Sequence, residues 1–217
     1  MEDSKLSLIY VYDALCGWCY GFSGVMRNIY EQYQNDFDFE VISGGMVLGE
    51  RAGNLSESRT LIESHYPNIE EMTGVKFGEP FLAALAEGSR YFSSEKPSIA
   101  LSVFKSFHPE KAILFAHALQ KAIYFEGIDL EQDENYLPLI QPFVIPAEEF
   151  IEKLNSEEFK QAAYYDFALA RQLQVTGYPA AFIKVGDRNF YMIAKGYASL
   201  DTMQLRIGNV LKEIEKA

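Results

Sequence analysis

Two cysteines and one tryptophan, the only ones among 217 residues, fall together in Asp13-Ala14-Leu15-Cys16-Gly17-Trp18-Cys19-Tyr20-Gly21. The run before them, Leu8-Ile9-Tyr10-Val11-Tyr12, is apolar, β-branched and aromatic, the composition of a buried strand. After them Phe22, Val25, Met26, Ile29, Tyr30 and Tyr33 recur at helical spacing. The Cys-Gly-Trp-Cys therefore stands where a strand gives way to an amphipathic helix, and this placement fixes both the local topology and the chemistry open to the thiols.

Unpaired N–H groups and the positive end of the macrodipole favour an anion at the first turn of a helix. Cys16 is thus expected to be the more exposed and more acidic thiol, the nucleophile. Three residues on, Cys19 shares its helical face and is close enough to close a disulfide. A thiolate that attacks a disulfide forms a mixed disulfide, and a second thiol releases it, so this pair suffices for a full exchange cycle. A zinc site would need more ligands than the sequence brings near, since no further cysteine exists and His65, His108 and His117 lie far away. Two inert, buried cysteines are the other competing reading, and the strand-motif-helix order weighs against it.

Downstream, Asn35-Asp36 reads as a turn and Phe37-Asp38-Phe39-Glu40-Val41 alternates as a half-buried strand does, completing a βαβ unit. From about residue 50 to 174 no segment reads convincingly as a strand. Helical spacing recurs at 82–92, 99–107, 113–125, 150–154 and 159–173, punctuated by prolines. Then Ala181-Phe182-Ile183-Lys184-Val185 and Phe190-Tyr191-Met192-Ile193-Ala194 form a hairpin about Gly186-Asp187-Arg188-Asn189, and a final helix opens near Ser199 or Asp201.

With the motif at one end and Val175-Thr176-Gly177-Tyr178-Pro179-Ala180 at the other, the sequence resembles the DsbA family of thiol-disulfide oxidoreductases. Asp13-x-x-Cys16-x-Trp18-Cys19-Tyr20-Gly21 is most similar to its FrnE-like branch, with Gly17 where that branch usually carries proline. The resemblance implies an α/β thioredoxin-like fold in which residues 1–49 and 175–217 form the core and 50–174 a large helical insertion packed on it, between the βαβ and ββα halves. It also implies that Pro179 is the cis-proline beside the motif, shaping a substrate groove. The bulk of Tyr178 points to a ring that, with Trp18, forms one wall of that apolar groove, or else one that merely fills core. Asp13 is expected either to influence proton transfer at Cys19 or to serve only as an exposed turn or capping residue.

The function expected is disulfide exchange by an oxidoreductase or isomerase on thiol- or disulfide-bearing proteins or small molecules. It needs no metal and no organic cofactor, and glutathione is an eligible redox partner. The alternative is a glutathione-dependent transferase or isomerase of the kappa-class or hydroxychromene-carboxylate isomerase type; those relatives usually carry serine and lack the second cysteine. A formal charge of −12 argues against partners with phosphate backbones or anionic membrane surfaces. No run is apolar for long enough to span a bilayer and Met1-Glu2-Asp3-Ser4-Lys5 lacks the features of a signal peptide, so a cytoplasmic location is expected. No sequence feature fixes an oligomeric state.

Overall fold

The computed structural model describes residues 6–186 and 188–216, which leaves Met1 to Lys5, the hairpin residue Asp187 and Ala217 outside the described residues. Strands β1 (Leu6–Tyr12) and β2 (Phe37–Ser43) pair in parallel, Leu6 opposite Phe37 and Tyr12 opposite Ser43. A parallel pair requires a crossover, and helix α1 (Gly17–Tyr33) supplies it.

A two-residue ladder follows, β3 (Gly53–Asn54) against β4 (Tyr91–Phe92). Around and after it run α2 (Leu55–Thr73), α3 (Glu79–Glu87), α4 (Glu95–Phe107), α5 (Ala112–Tyr124), α6 (Leu137–Ile140), α7 (Ala147–Leu154) and α8 (Glu157–Gln172). Strands β5 (Ala180–Val185) and β6 (Asn189–Lys195) then complete a sheet of order β2-β1-β5-β6, with β5 antiparallel to both neighbours. Helix α9 (Leu200–Ile214) starts at Ser199, whose Oγ accepts from the Thr202 N–H. The fold is the mixed α/β, thioredoxin-like one expected.

Because β1 is central and covered on both faces, its apolar run is continuous and does not alternate with polar residues. Leu8, Tyr10 and Tyr12 enter the large core that α1 and α9 share with the helical region, while Ile9 and Val11 meet Ile42, Ala180 and Phe182 beneath α8. Both ends of the catalytic candidate region, the β1–α1 turn and the segment before β5, are thereby anchored to one rigid sheet.

Three sequence expectations change. The helical pattern at 82–92 stops at Glu87, because Gly88 adopts φ +79° and caps α3 by donating its N–H to the Ala84 carbonyl. Residues 91–92 pair as β4, so the region after residue 50 does contain a ladder, too short to leave a periodic signal. Helix α2 lies outside the stretches of helical spacing expected from the sequence: it buries only Leu55 and Ile69 and carries Pro67 inside, which hides its periodicity.

One ionic contact fastens the helices to the sheet. Lys105 on α4 donates to Asp166 on α8 at 2.8 Å and to the Val41 carbonyl of β2 at 3.0 Å, and the Ser43 N–H also reaches Asp166. Asp166 is buried, which pushes its carboxyl upward, and Lys105 opposes that push. Lys105→Met should lower stability in urea unfolding by about 3 kcal/mol by leaving this carboxylate unpaired, and adding Asp166→Asn should restore much of the loss.

Candidate active site

The turn from β1 into α1 is closed by Asp13: its carbonyl accepts from the Cys16 N–H at 3.1 Å and its Oδ1 from the Leu15 N–H at 2.9 Å. Cys16 is the N-cap of α1, and its carbonyl takes the helix's first bond, from the Tyr20 N–H. It thus stands where unpaired N–H groups favour an anion, with no acidic residue in the first turn to oppose them. Cys19, one turn inside, approaches Cys16 to 3.4 Å, and both are free cysteines.

Their surroundings differ. Cys16 retains 6% exposure and Cys19 none, so only the former can be reached from solvent. Burial pushes the Cys19 thiol well above its ordinary range, and the neighbouring Cys16 adds to the push while the Asp13 main chain opposes it. The hydroxyl of Tyr10 is buried beside Cys19 and finds no conventional hydrogen-bond partner among the described residues.

Asp13 is not an exposed turn residue: it is 1% exposed. Besides Leu15, its carboxylate accepts from the Met46 N–H at 2.7 Å and from Ser94 Oγ at 2.8 Å. Its carbonyl also accepts from Gln120 Nε2. Burial pushes the carboxyl above its usual range, and the donors pull it partly back.

Across the motif, the Tyr178-Pro179 peptide bond is cis, and the Tyr178 carbonyl accepts from Cys16 Sγ at 3.5 Å. The structure thus brings together Asp13, Cys16, Cys19, Tyr178 and Pro179. The Pro179 carbonyl is held by the Gly196 N–H. The Tyr178 ring packs onto Gly44, to whose carbonyl its hydroxyl donates at 2.8 Å. A Cβ on Gly44 would lie 2.2 Å from that ring, so glycine is required there.

Trp18 does line an apolar cavity of about 260 Å³, which opens beside Cys16. Its other walls were not foreseen: Leu61, Ile62, His65, Tyr66 and Ile69 all come from α2. Their spacing is helical, and with the boundary residues Asn54, Glu57 and Gly74 it is a signal by which the sequence discloses them. Met46, Phe77 and Tyr124 close the remainder, with the Phe77 ring packed on those of Tyr66 and Tyr124. Gly17 presents bare main chain, and a Cβ there would sit 2.9 Å from the tip of Ile69.

The histidines stay outside the dithiol: His108 bonds the Phe143 carbonyl, His117 bonds Ser23, and His65 lies on the rim of the cavity. Among the described residues no group of three or more His, Cys, Asp or Glu side chains is placed to hold a metal ion. Among them, too, no helix is long and apolar enough to cross a membrane.

Residues 7–208 match the family model described as a DSBA-like thioredoxin domain. No curated protein sequence matches the chain. Among solved structures, a candidate protein disulfide isomerase from Nitrosomonas europaea superposes with a TM-score of 0.81 at 24% identity, over 97% of this chain and 99% of that one. The cytosolic disulfide reductase DsbM from Pseudomonas aeruginosa, also solved with GSH, gives 0.79 at 22% identity, over 95% and 98%. A 2-hydroxychromene-2-carboxylate isomerase gives 0.62 at 12% identity, over 96% and 98%. At these identities the structural likeness establishes the fold.

Two outcomes follow from the geometry. Because Cys19 is held as a thiol at neutral pH, its displacement of thionitrobenzoate from a Cys16 adduct should accelerate about tenfold per pH unit between roughly pH 6 and 8, followed by stopped-flow absorbance. A pH-independent release would show that burial does not govern the second thiol. Gly44→Ala should cost about 1–3 kcal/mol in urea unfolding, with part of the loss recovered when Tyr178→Ala removes the ring it collides with.

Proposed function

The chain belongs to the DSBA-like thioredoxin domain family, and from that premise we propose that it is a thiol-disulfide oxidoreductase whose redox-active pair is Cys16 and Cys19. The observation that carries the reading is the approach of the two cysteines to 3.4 Å across the first turn of α1. Cys16, as thiolate, attacks one sulfur of a disulfide R–S–S–R′, forming Cys16–S–S–R and releasing R′–S⁻, which takes a proton from solvent. Cys19 then loses its proton and attacks Cys16 Sγ, expelling R–S⁻. The substrate gains two electrons, and the protein is left with a Cys16–Cys19 disulfide.

The remaining residues have roles in the same scheme. Pro179 and the Tyr178 carbonyl border the place where the substrate sulfur arrives. Asp13 influences proton transfer at Cys19, its main chain favouring loss of the proton and its carboxylate charge opposing it. Trp18 contributes a wall for the entering group. The motif from Asp13 to Gly21 supports placement in the FrnE-like branch, and a core of 1–49 and 175–217 with a 50–174 insertion is the corresponding division of the chain.

We favour net reduction, with glutathione as the thiol that resets the disulfide. The support is the fold shared with a Pseudomonas aeruginosa protein named as a cytosolic disulfide reductase and solved with GSH. A reducing compartment such as the cytoplasm fits that direction. The transferase or isomerase reading shares the fold, but it gives no task to Cys19.

Serine variants separate the two. Cys16→Ser should abolish disulfide exchange, whereas Cys19→Ser should still attack and then accumulate mixed disulfides visible by mass spectrometry. Turnover by Cys16→Ser together with no adducts on Cys19→Ser would contradict the scheme. Glutathione-conjugating activity retained in both variants would favour the transferase.

A further inference from the structure

We propose that the cavity between the start of α1 and helix α2 binds the organic half of a small, uncharged disulfide, an aryl or branched-alkyl group attached to the sulfur that Cys16 attacks. The proposal rests on the exchange function above and names its substrate class.

The cavity's position singles it out. Cys16 is part of its lining, so a group held there presents its sulfur to the nucleophile. Gly17 leaves that wall bare where any side chain would press on Ile69. At the outer lip, Leu61 is 64% exposed, an apolar surface that an occupant would cover.

Size and polarity narrow the occupant. An apolar cavity of about 150 Å³ accommodates benzene, so about 260 Å³ holds a ring with its linker. The lining contains no carboxylate, ammonium or guanidinium group, and the Nδ1 of its one imidazole, His65, is already within hydrogen-bonding distance of Leu61 O and Ser64 Oγ. A charged group entering would lose hydration with no oppositely charged carboxylate, ammonium or guanidinium in return. The charged body of a molecule such as glutathione is therefore left outside, and so is a polypeptide backbone with its polar groups. The second half of the disulfide lies on the other side of Cys16, toward the Tyr178 carbonyl.

In the reaction, Cys16–S⁻ attacks the sulfur bearing the apolar group and the outer half departs as its thiolate. Cys19 then attacks Cys16 Sγ and releases the apolar thiol from the cavity. Two equivalents of a monothiol reductant return the Cys16–Cys19 disulfide to the dithiol.

A matched pair of substrates tests this on the full chain: benzyl 2-hydroxyethyl disulfide against bis(2-hydroxyethyl) disulfide, with glutathione as reductant. The benzyl compound should show a kcat/KM about tenfold higher or more, and Ile62→Asp, which places a charge in the cavity, should collapse that ratio toward one. Independently of turnover, benzyl methyl sulfide, which cannot exchange, should shift the emission of Trp18 in the Cys16→Ser variant, and Ile62→Asp should abolish the shift. Equal kcat/KM values together with a silent Trp18 would overturn the cavity proposal while leaving exchange intact. A cysteine peptide consistently outcompeting the benzyl compound would overturn it in favour of protein substrates. Failure to turn over either disulfide, or any cysteine peptide, would instead remove the exchange reading on which the proposal rests.

Discussion

The surroundings of the dithiol depend on one buried carboxylate. Asp13 leaves β1 and, within a single side chain and carbonyl, accepts from the motif turn, from the segment after β2, from the start of α4 and from Gln120 on α5. Ser94 extends the linkage, exchanging bonds with Val47 through both its N–H and its Oγ. A carboxylate stripped of water is costly unless donors surround it. Here those donors come from elements distant in sequence, so satisfying the charge fixes where the helical region meets the thioredoxin-like sheet.

From that anchor the asymmetry of the two thiols follows. A turn closed at Asp13 makes Cys16 the N-cap of α1, where it keeps 6% exposure, and consigns Cys19 to the packed interior next to Tyr10. One sulfur can meet a substrate and the other can meet only the first sulfur. In the proposed exchange this order of access would set the order of the two steps, Cys19 acting after Cys16 has formed its mixed disulfide.

Much of this is written locally in the sequence. The motif, the βαβ unit, the closing hairpin and the Ser199 cap each depend on neighbours a few residues apart, and the resemblance carried by Tyr178-Pro179 located the loop facing Cys16. What stayed hidden is non-local. The partners of Asp13 at Met46 and Ser94 are 33 and 81 positions away, so no spacing rule distinguishes a buried Asp13 from an exposed turn residue. Helix α2 was masked by its polar face and Pro67, although the Asn54 and Glu57 pair at its start and Gly74 at its end are helix-boundary signals. Missing α2 meant missing most of the cavity beside Cys16. The contact of the Tyr178 ring with Gly44, whose carbonyl its hydroxyl bonds 134 positions away, likewise leaves no local signal.

The central claim, that Cys16 and Cys19 are one reversible two-electron couple, is tested most directly by equilibrating the protein in a series of dithiol/disulfide redox buffers and reading Trp18 emission alongside mass. The account predicts a single transition with a slope of about 30 mV per decade, and a mass loss of two hydrogens on the oxidised side, marking the Cys16–Cys19 disulfide. A protein that stays fully reduced across the series, or that gains only buffer-derived adducts on Cys16, would contradict it.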